Sequence, residues 1–177
     1  TPVAGAAQLD PENKLLSHQH RRRLTAEEFR DAMLRVSGKL DVAVGGKSVR
    51  ELLDPRRTLY LTTIRSDRTG YQSLFDGADP TAIVEKRTEA TVAPQSLFLL
   101  NHPFTVSQAE ALASAAIKAG STTPDRVRWL WQRLFQHAPA AADLSLADRA
   151  LGGDADIARW TVYCQMLLCS NEFAYVD

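Results

Sequence analysis

Apolar residues recur at helical spacing in several segments of this 177-residue chain, most of them opened by a capping residue. That period constrains the fold more than any other feature, because a stripe written for 3.6 residues per turn does not lie flat on a sheet. The best-specified case is Thr25-Ala-Glu-Glu28, a capping box, followed by Phe29, Met33, Val36 and Leu40, with Gly38 as the stop. Asp10-Pro11-Glu12 reads as an N-cap with Pro at the first helical position, starting a helix that runs through Leu15 and Leu16 to Arg21-Arg22-Arg23. Pro94 opens a short apolar helix closed by Asn101-His102-Pro103, and Thr105 to Gln108 starts another, with Val106, Ala109, Leu112, Ala113, Ala116 and Ile117 along one side. Thr123-Pro124-Asp125 caps a helix bearing Val127, Leu130, Trp131 and Leu134. Asp143 or Ser145 begins a short one ending at Gly152. Asp154 opens the last long one, with Ile157, Trp160, Cys164 and Leu167 or Leu168 inward.

Between Asp41 and Ala93 the helical period fails. Turn signals at Gly45-Gly46, Asp54-Pro55, Asp76-Gly77 and Asp79-Pro80 divide the stretch into short pieces. Thr58 to Ile64 alternates and is rich in β-branched and aromatic residues, which predicts a small β element there. The expectation is a mainly α, compact domain over residues 10–177, with about five to seven helices, a long irregular middle and residues 1–9 as a linker remnant. An irregular segment of this length is either a site or a covering insertion, and sequence leaves both open.

Charge is balanced, 21 Lys and Arg against 21 Asp and Glu, so the basic field that nucleic-acid binding relies on is missing. No apolar run approaches the roughly 20 residues of a membrane span, so no membrane insertion is expected. Gly46-Lys47-Ser48 resembles the end of a phosphate-binding loop, but the position that needs the first glycine holds Asp41. His18 and His20, two residues apart in a helical context, point to opposite sides and offer no metal pair. Cys164 and Cys169 on one helix lie about 7.5 Å apart along the axis, beyond disulfide reach, and read as free core thiols. With no nucleophile elbow, zinc-protease motif or paired carboxylates, the residues assign no catalytic group, no metal and no cofactor.

Arginine outnumbers lysine 16 to 5. Guanidinium groups suit bidentate capture of carboxylate or sulfate, and they suit structural pairing, the commoner use, here of Arg23 or Arg57 with Glu172 or Asp31. Arg23, Arg56, Arg57 and Arg87 flank the irregular middle, and Gln95 and Asn101 follow it. These six are the candidate ligand-binding residues, for an anionic small molecule or glycan.

The segments Asp10 to Asp41, Arg56 to Leu61 (RRTLYL), Leu74 to Pro80 (LFDGADP), Thr91 to Phe104 (TVAPQSLFLLNHPF) and Ser170 to Asp177 (SNEFAYVD) together resemble the C-terminal planctomycete domain of unknown function. That domain is found in large proteins that also carry a cytochrome-c-like domain. The resemblance implies an exported, periplasmic or extracellular multidomain protein, with haem attached elsewhere in the polypeptide and this domain last. It transfers no catalytic residue. The family often has Pro where Lys47 stands and a residue other than Cys where Cys169 stands. The functional expectation is a non-catalytic binding or interaction module that docks on other domains of the same polypeptide. The alternative is a component that shapes the substrate site of a haem-linked oxidoreductase acting on substrates such as glycans.

Overall fold

The computed structural model describes residues 9–15, 21–66, 70–81, 83, 85, 87, 89–152 and 156–176. Its elements, in chain order, are strand β1 (Arg22–Arg23), helix α1 (Ala26–Val36), a 3-10 turn (Thr58–Tyr60), α2 (Tyr71–Leu74), α3 (Ala93–Asn101), α4 (Pro103–Ala119), α5 (Thr123–Phe135), α6 (Ala141–Leu151), α7 (Ile157–Leu168), α8 (Asn171–Ala174) and strand β2 (Tyr175–Val176). The domain is mainly helical, as the periodicity predicts. Among the described residues, six helices are substantial and two are four-residue turns of helix.

The long helix α4 is the axis of the core. Ala109, Leu112, Ala113 and Ala116 are fully buried along it, and their small side chains let α7 come close enough to bury Trp160, Cys164 and Leu168 completely. Trp131 of α5, Phe29 and Met33 of α1 and Leu112 belong to the same continuous cluster. The expected core around Phe29, Leu112, Trp131 and Trp160 is therefore one body. Trp129, off the main stripe of α5, is only half-buried and packs under the Arg133 guanidinium. None of the described helices is long and apolar enough to cross a membrane.

Helix α1 forms where its capping box says. The Thr25 hydroxyl accepts from the Glu28 N–H at 3.3 Å and the Glu28 carboxylate accepts from the Thr25 N–H at 2.9 Å. Gly38 ends the segment with φ at 79°, a left-handed conformation that a β-carbon disfavours.

Several boundaries differ from the sequence reading, each for a local reason. The helix expected from Asp10 to Arg23 does not reach its end: Arg22–Arg23 pair antiparallel with Tyr175–Val176, in the register Arg22 to Val176 and Arg23 to Tyr175. Asp10 still caps a turn, taking the N–H groups of Lys14 (2.8 Å) and Leu15 (2.7 Å), but Asn13 at φ 52° leaves the helical path. Residues 16–20, including His18 and His20, lie outside the described residues. The small β element is thus at the joined ends of the domain rather than near 58–64. There, Thr58–Tyr60 winds into a 3-10 turn, and Leu61 makes only an isolated parallel bridge to Val49. Period-2 alternation needs a neighbouring strand to become a ladder, and this stretch finds one bridge.

Helix α4 starts at Pro103, two residues before the expected Thr105, because Pro at the first position costs no hydrogen bond and His102 supplies the cap. Thr122 rather than Thr123 caps α5, and Asp156 caps α7. Asp154, the expected start of α7, lies outside the described residues. Ile157, expected inward, is 49% exposed: it lies on the side of Trp160, Cys164 and Leu168, but at the first position of α7.

Candidate functional site

The part of the irregular middle from Leu52 to Thr58 is built around one cation that the sequence reading passed over. Arg30 lies on the buried stripe of α1 with Ala26, Phe29, Met33 and Leu34, and its side chain is wholly inaccessible to solvent. Its guanidinium donates to the Leu52 carbonyl (2.9 and 3.2 Å), the Asp54 carbonyl (2.6 Å), the Arg56 carbonyl (2.8 Å) and the Thr58 hydroxyl (3.0 Å). The fork geometry suits this, because five N–H donors in one plane can satisfy several carbonyls of a chain that wraps around them. Burial pulls the Arg30 pKa down, opposed by the Asp31 carboxylate 3.8 Å away. Asp31 completes the anchor by accepting from the Thr58 N–H (2.7 Å) and hydroxyl (2.6 Å). The signal was available in the sequence. Ala26, Phe29, Arg30, Met33 and Leu34 follow the spacing of one inward face, and an arginine on such a face must find acceptors.

The six residues singled out from the sequence fall into three neighbourhoods. Arg56 and Arg57 belong with the Arg30 anchor. The Arg56 guanidinium stacks 3.8 Å above the Tyr60 ring and donates to the Gly45 and Lys47 carbonyls, while the Tyr60 hydroxyl accepts from the Gly45 N–H at 2.7 Å. Arg57 lies 3.6 Å from Asp31, the pairing the sequence offered as the structural alternative. Arg23, Gln95 and Arg87 form a second neighbourhood, around the segment after α2. Arg23 donates to the Ala90 carbonyl and lies 3.7 Å from Asp76, which in turn accepts from the Ala90 N–H at 2.8 Å. Both backbone groups of Ala90 are held by one ion pair. Gln95, only 4% exposed, donates to the Leu74 carbonyl at 2.9 Å, and Arg87 pairs with Glu27 at 2.8 Å. Asn101 stands apart at the end of α3, donating to the Leu97 carbonyl one turn back at 2.9 Å. Glu172, the other carboxylate offered as an arginine partner, is bound instead by His137 at 2.6 Å.

The electrostatics of the titratable side chains follows their burial and their partners. Arg22 and Thr25 hold the Glu28 carboxyl down at about 2. Burial pushes the Cys164 thiol up to about 12 and the Cys169 thiol up to about 11, away from the thiolate that a nucleophile requires, and both are free. The buried Tyr71 phenol is also pushed up by desolvation and donates to the Ala26 carbonyl at 2.8 Å. Burial lowers the pKa of His102, whose Nδ1 accepts the Phe104 N–H at 3.1 Å while its ring stacks on Phe98 at 4.2 Å. A neutral imidazole is the form that can cap a helix this way. What the arrangement does chemically is to spend guanidinium, amide and carboxylate groups on fixing backbone that has no helix or sheet of its own.

No curated protein and no solved structure matches the chain. The family model described as PSD1, protein of unknown function (DUF1553), matches residues 2–151, from the N-terminal segment through the end of α6. Helix α7, which begins at Ile157, lies beyond that span. With most of its length matched in this way, the chain belongs to the DUF1553 family of proteins of unknown function.

Proposed function

We propose that this chain is a non-catalytic binding or interaction module within an exported multidomain protein that also carries a cytochrome-c-like domain, and that it docks on other domains of its own polypeptide. The resemblance of the five quoted segments to the planctomycete C-terminal domain supports the setting, which is periplasmic or extracellular with haem held elsewhere in the polypeptide. One observation carries the choice between module and ligand site. Each of Arg23, Arg56, Arg57, Arg87, Gln95 and Asn101 is already engaged by a partner within the chain. A site for an anion would have to break those contacts or add to them, and donors already matched to a carbonyl, as Arg23 and Arg56 are, or to a carboxylate, as Arg57 and Arg87 are, gain less from a competitor. The stretch from Gly45 to Thr58 is then a preorganised surface: its backbone is held by Arg30, Asp31, Arg56 and Tyr60 before any partner arrives, which lowers the entropy lost on docking.

Calorimetric titration with sulfate, acetate and a sulfated glycan, alongside titration with the remaining domains of the polypeptide, tests the reading. The expected outcome is saturable binding to the other domains and none to the anions. Saturable anion binding that disappears in Arg57→Ala, at an unchanged melting temperature, would establish the arginines as a ligand site and overturn it.

A further inference from the structure

His102 is the single residue between α3 and α4, and it serves both helices. Its N–H closes α3 on the Phe98 carbonyl at 2.8 Å, its carbonyl accepts the Val106 N–H at 3.3 Å, and its Nδ1 accepts the Phe104 N–H at 3.1 Å. A ring nitrogen that faces an N–H donor must be unprotonated, so this cap exists only while the imidazole is neutral with its proton on Nε2. The first turn of α4 has no acidic residue, so a charged ring there would meet the positive end of a 17-residue helix with nothing in that turn to offset it. On its other side the ring lies on Phe98, with centroids 4.2 Å apart and planes at 17°. An aromatic face attracts a cation, so protonation keeps that stack while it breaks the cap.

We propose that His102 is an acid-sensitive joint: protonation of its ring uncaps α4 and loosens α3 from the core, with His102 staying on the α3 side. The element that gives is α3, because Gln95 is its one buried residue, whereas Phe104, Leu112 and Ala116 fix α4 in the core. Gln95 also holds the Leu74 carbonyl at 2.9 Å, so the end of α2 loosens with it. Gln165 of α7 donates to the Leu99 (3.0 Å) and Leu100 (2.8 Å) carbonyls and tethers the far end of α3, so the helix does not leave altogether. Burial lowers the His102 pKa, the direction required of a ring that works only when neutral. The stability it supplies is therefore complete above the ordinary histidine range and is lost as pH falls through the folded value. Among the described residues, α3 has no charged side chain, and the first in α4 is Glu110, two turns on. From α1, the Arg30 guanidinium lies 5.6 Å from the Phe104 ring and Lys39 bonds to Ser107. Tyr71, packed on Phe98, and Cys169, facing the Leu99 carbonyl, are both pushed up by burial, away from the range in which a histidine titrates. The joint does not depend on the docking proposed above.

Imidazole nitrogen shifts from NMR, measured with amide hydrogen exchange expressed as protection factors, test it between about pH 4 and pH 8. The expected result is an unprotonated His102 Nδ1 at neutral pH and a titration below the ordinary histidine range. Over that titration the protection of the Phe104 N–H should fall about fivefold, the factor that matches the usual worth of a helix cap. A nine-residue helix does not hold by itself in water, so the Phe98 and His102 amides should fall with it while those in the middle of α4 and α7 stay constant. Asparagine caps a helix at any pH, so His102→Asn should keep the protection flat over the same range. The parent chain reports titration and exchange by itself, so the proposal remains refutable even with a variant that fails to fold. A protonated Nδ1 at neutral pH, protection that stays constant while His102 titrates, or the same acid loss in a folded His102→Asn chain would each overturn it.

Discussion

Replacing Arg30 by Met keeps much of the stem's bulk on the buried stripe of α1 and removes the five-donor fork that holds the backbone from Leu52 to Thr58. The guanidinium serves the carbonyls of Leu52, Asp54 and Arg56 and the Thr58 hydroxyl. Hydrogen bonds from a charged donor contribute about 1.5–3 kcal/mol each, but the desolvation of a fully buried cation offsets several kcal/mol of that sum. Leu52, Asp54 and Arg56 are half-buried, so water replaces part of what their carbonyls lose. The balance is a loss of about 3–5 kcal/mol, in line with breaking a buried charged network from one side. For a domain of this length, that lowers the melting temperature by on the order of 10 °C. Thermal unfolding followed by circular dichroism measures the loss, and amide hydrogen exchange locates it. The N–H groups of Asp41, Val49 and Thr62, which bond to Pro55, Tyr60 and Val49, should lose protection while those of α4 and α7 keep theirs. Arg30→Lys should recover little, because one ammonium group cannot span acceptors arranged around a planar fork. Arg57→Ala is the control: its side chain is 51% exposed and its pair with Asp31 is long at 3.6 Å, so it should cost no more than about 1 kcal/mol. An Arg30→Met variant that melts with the parent and protects the same amides would refute the anchoring argument.

Other perturbations follow from the same geometry. Trp160→Ala empties a fully buried position between α7 and α4 and should cost about 3–5 kcal/mol, read as a shift of the denaturation midpoint at constant slope. Glu28 has a folded pKa of about 2, below its unfolded value, so its contribution is complete above the ordinary carboxylate range and is lost as pH falls through about 2. Glu28→Gln should therefore flatten the acid limb of a melting temperature–pH profile; an unchanged limb would show that the Arg22 and Thr25 contacts do not persist in solution. The pKa of His137 is raised, first by its bond to the Ala138 carbonyl and then by Glu172. Its small contribution is accordingly present below the usual histidine pKa and disappears as pH rises through the folded value. His137→Gln should lower stability slightly at pH 5 and not at pH 9, and the opposite ordering would contradict the assignment.

Most of the helices, and the sides they turn inward, were legible in the residues alone; the run from Asp10 to Arg23 and the placement of Ile157 were not. The Thr25–Glu28 capping box, the Pro124 start and the lines through Leu112 and Trp160 are local facts, written in neighbours three and four residues apart. The sequence also contained the residue types from which the candidate site is built, including the Arg57–Asp31 pairing as an open alternative. How those residues are used was set by what folding brought within reach of each. Arg22 and Arg23 became strand because Tyr175 and Val176, at the far end of the chain, offered the matching backbone edge. The alternating residues Thr58 to Ile64 became a 3-10 turn and a single bridge because the groups nearest to them were Arg30 and Asp31 rather than a second strand. Arg23 and Gln95 came together around α2 and Ala90, away from Arg56 and Arg57, because each took the nearest carbonyl or carboxylate that folding brought within reach. Helix signals are legible in sequence because their hydrogen bonds close within four residues. A buried guanidinium satisfied by chain more than twenty residues away leaves only an arginine where the pattern calls for a leucine, and its acceptors exist only once the chain has folded.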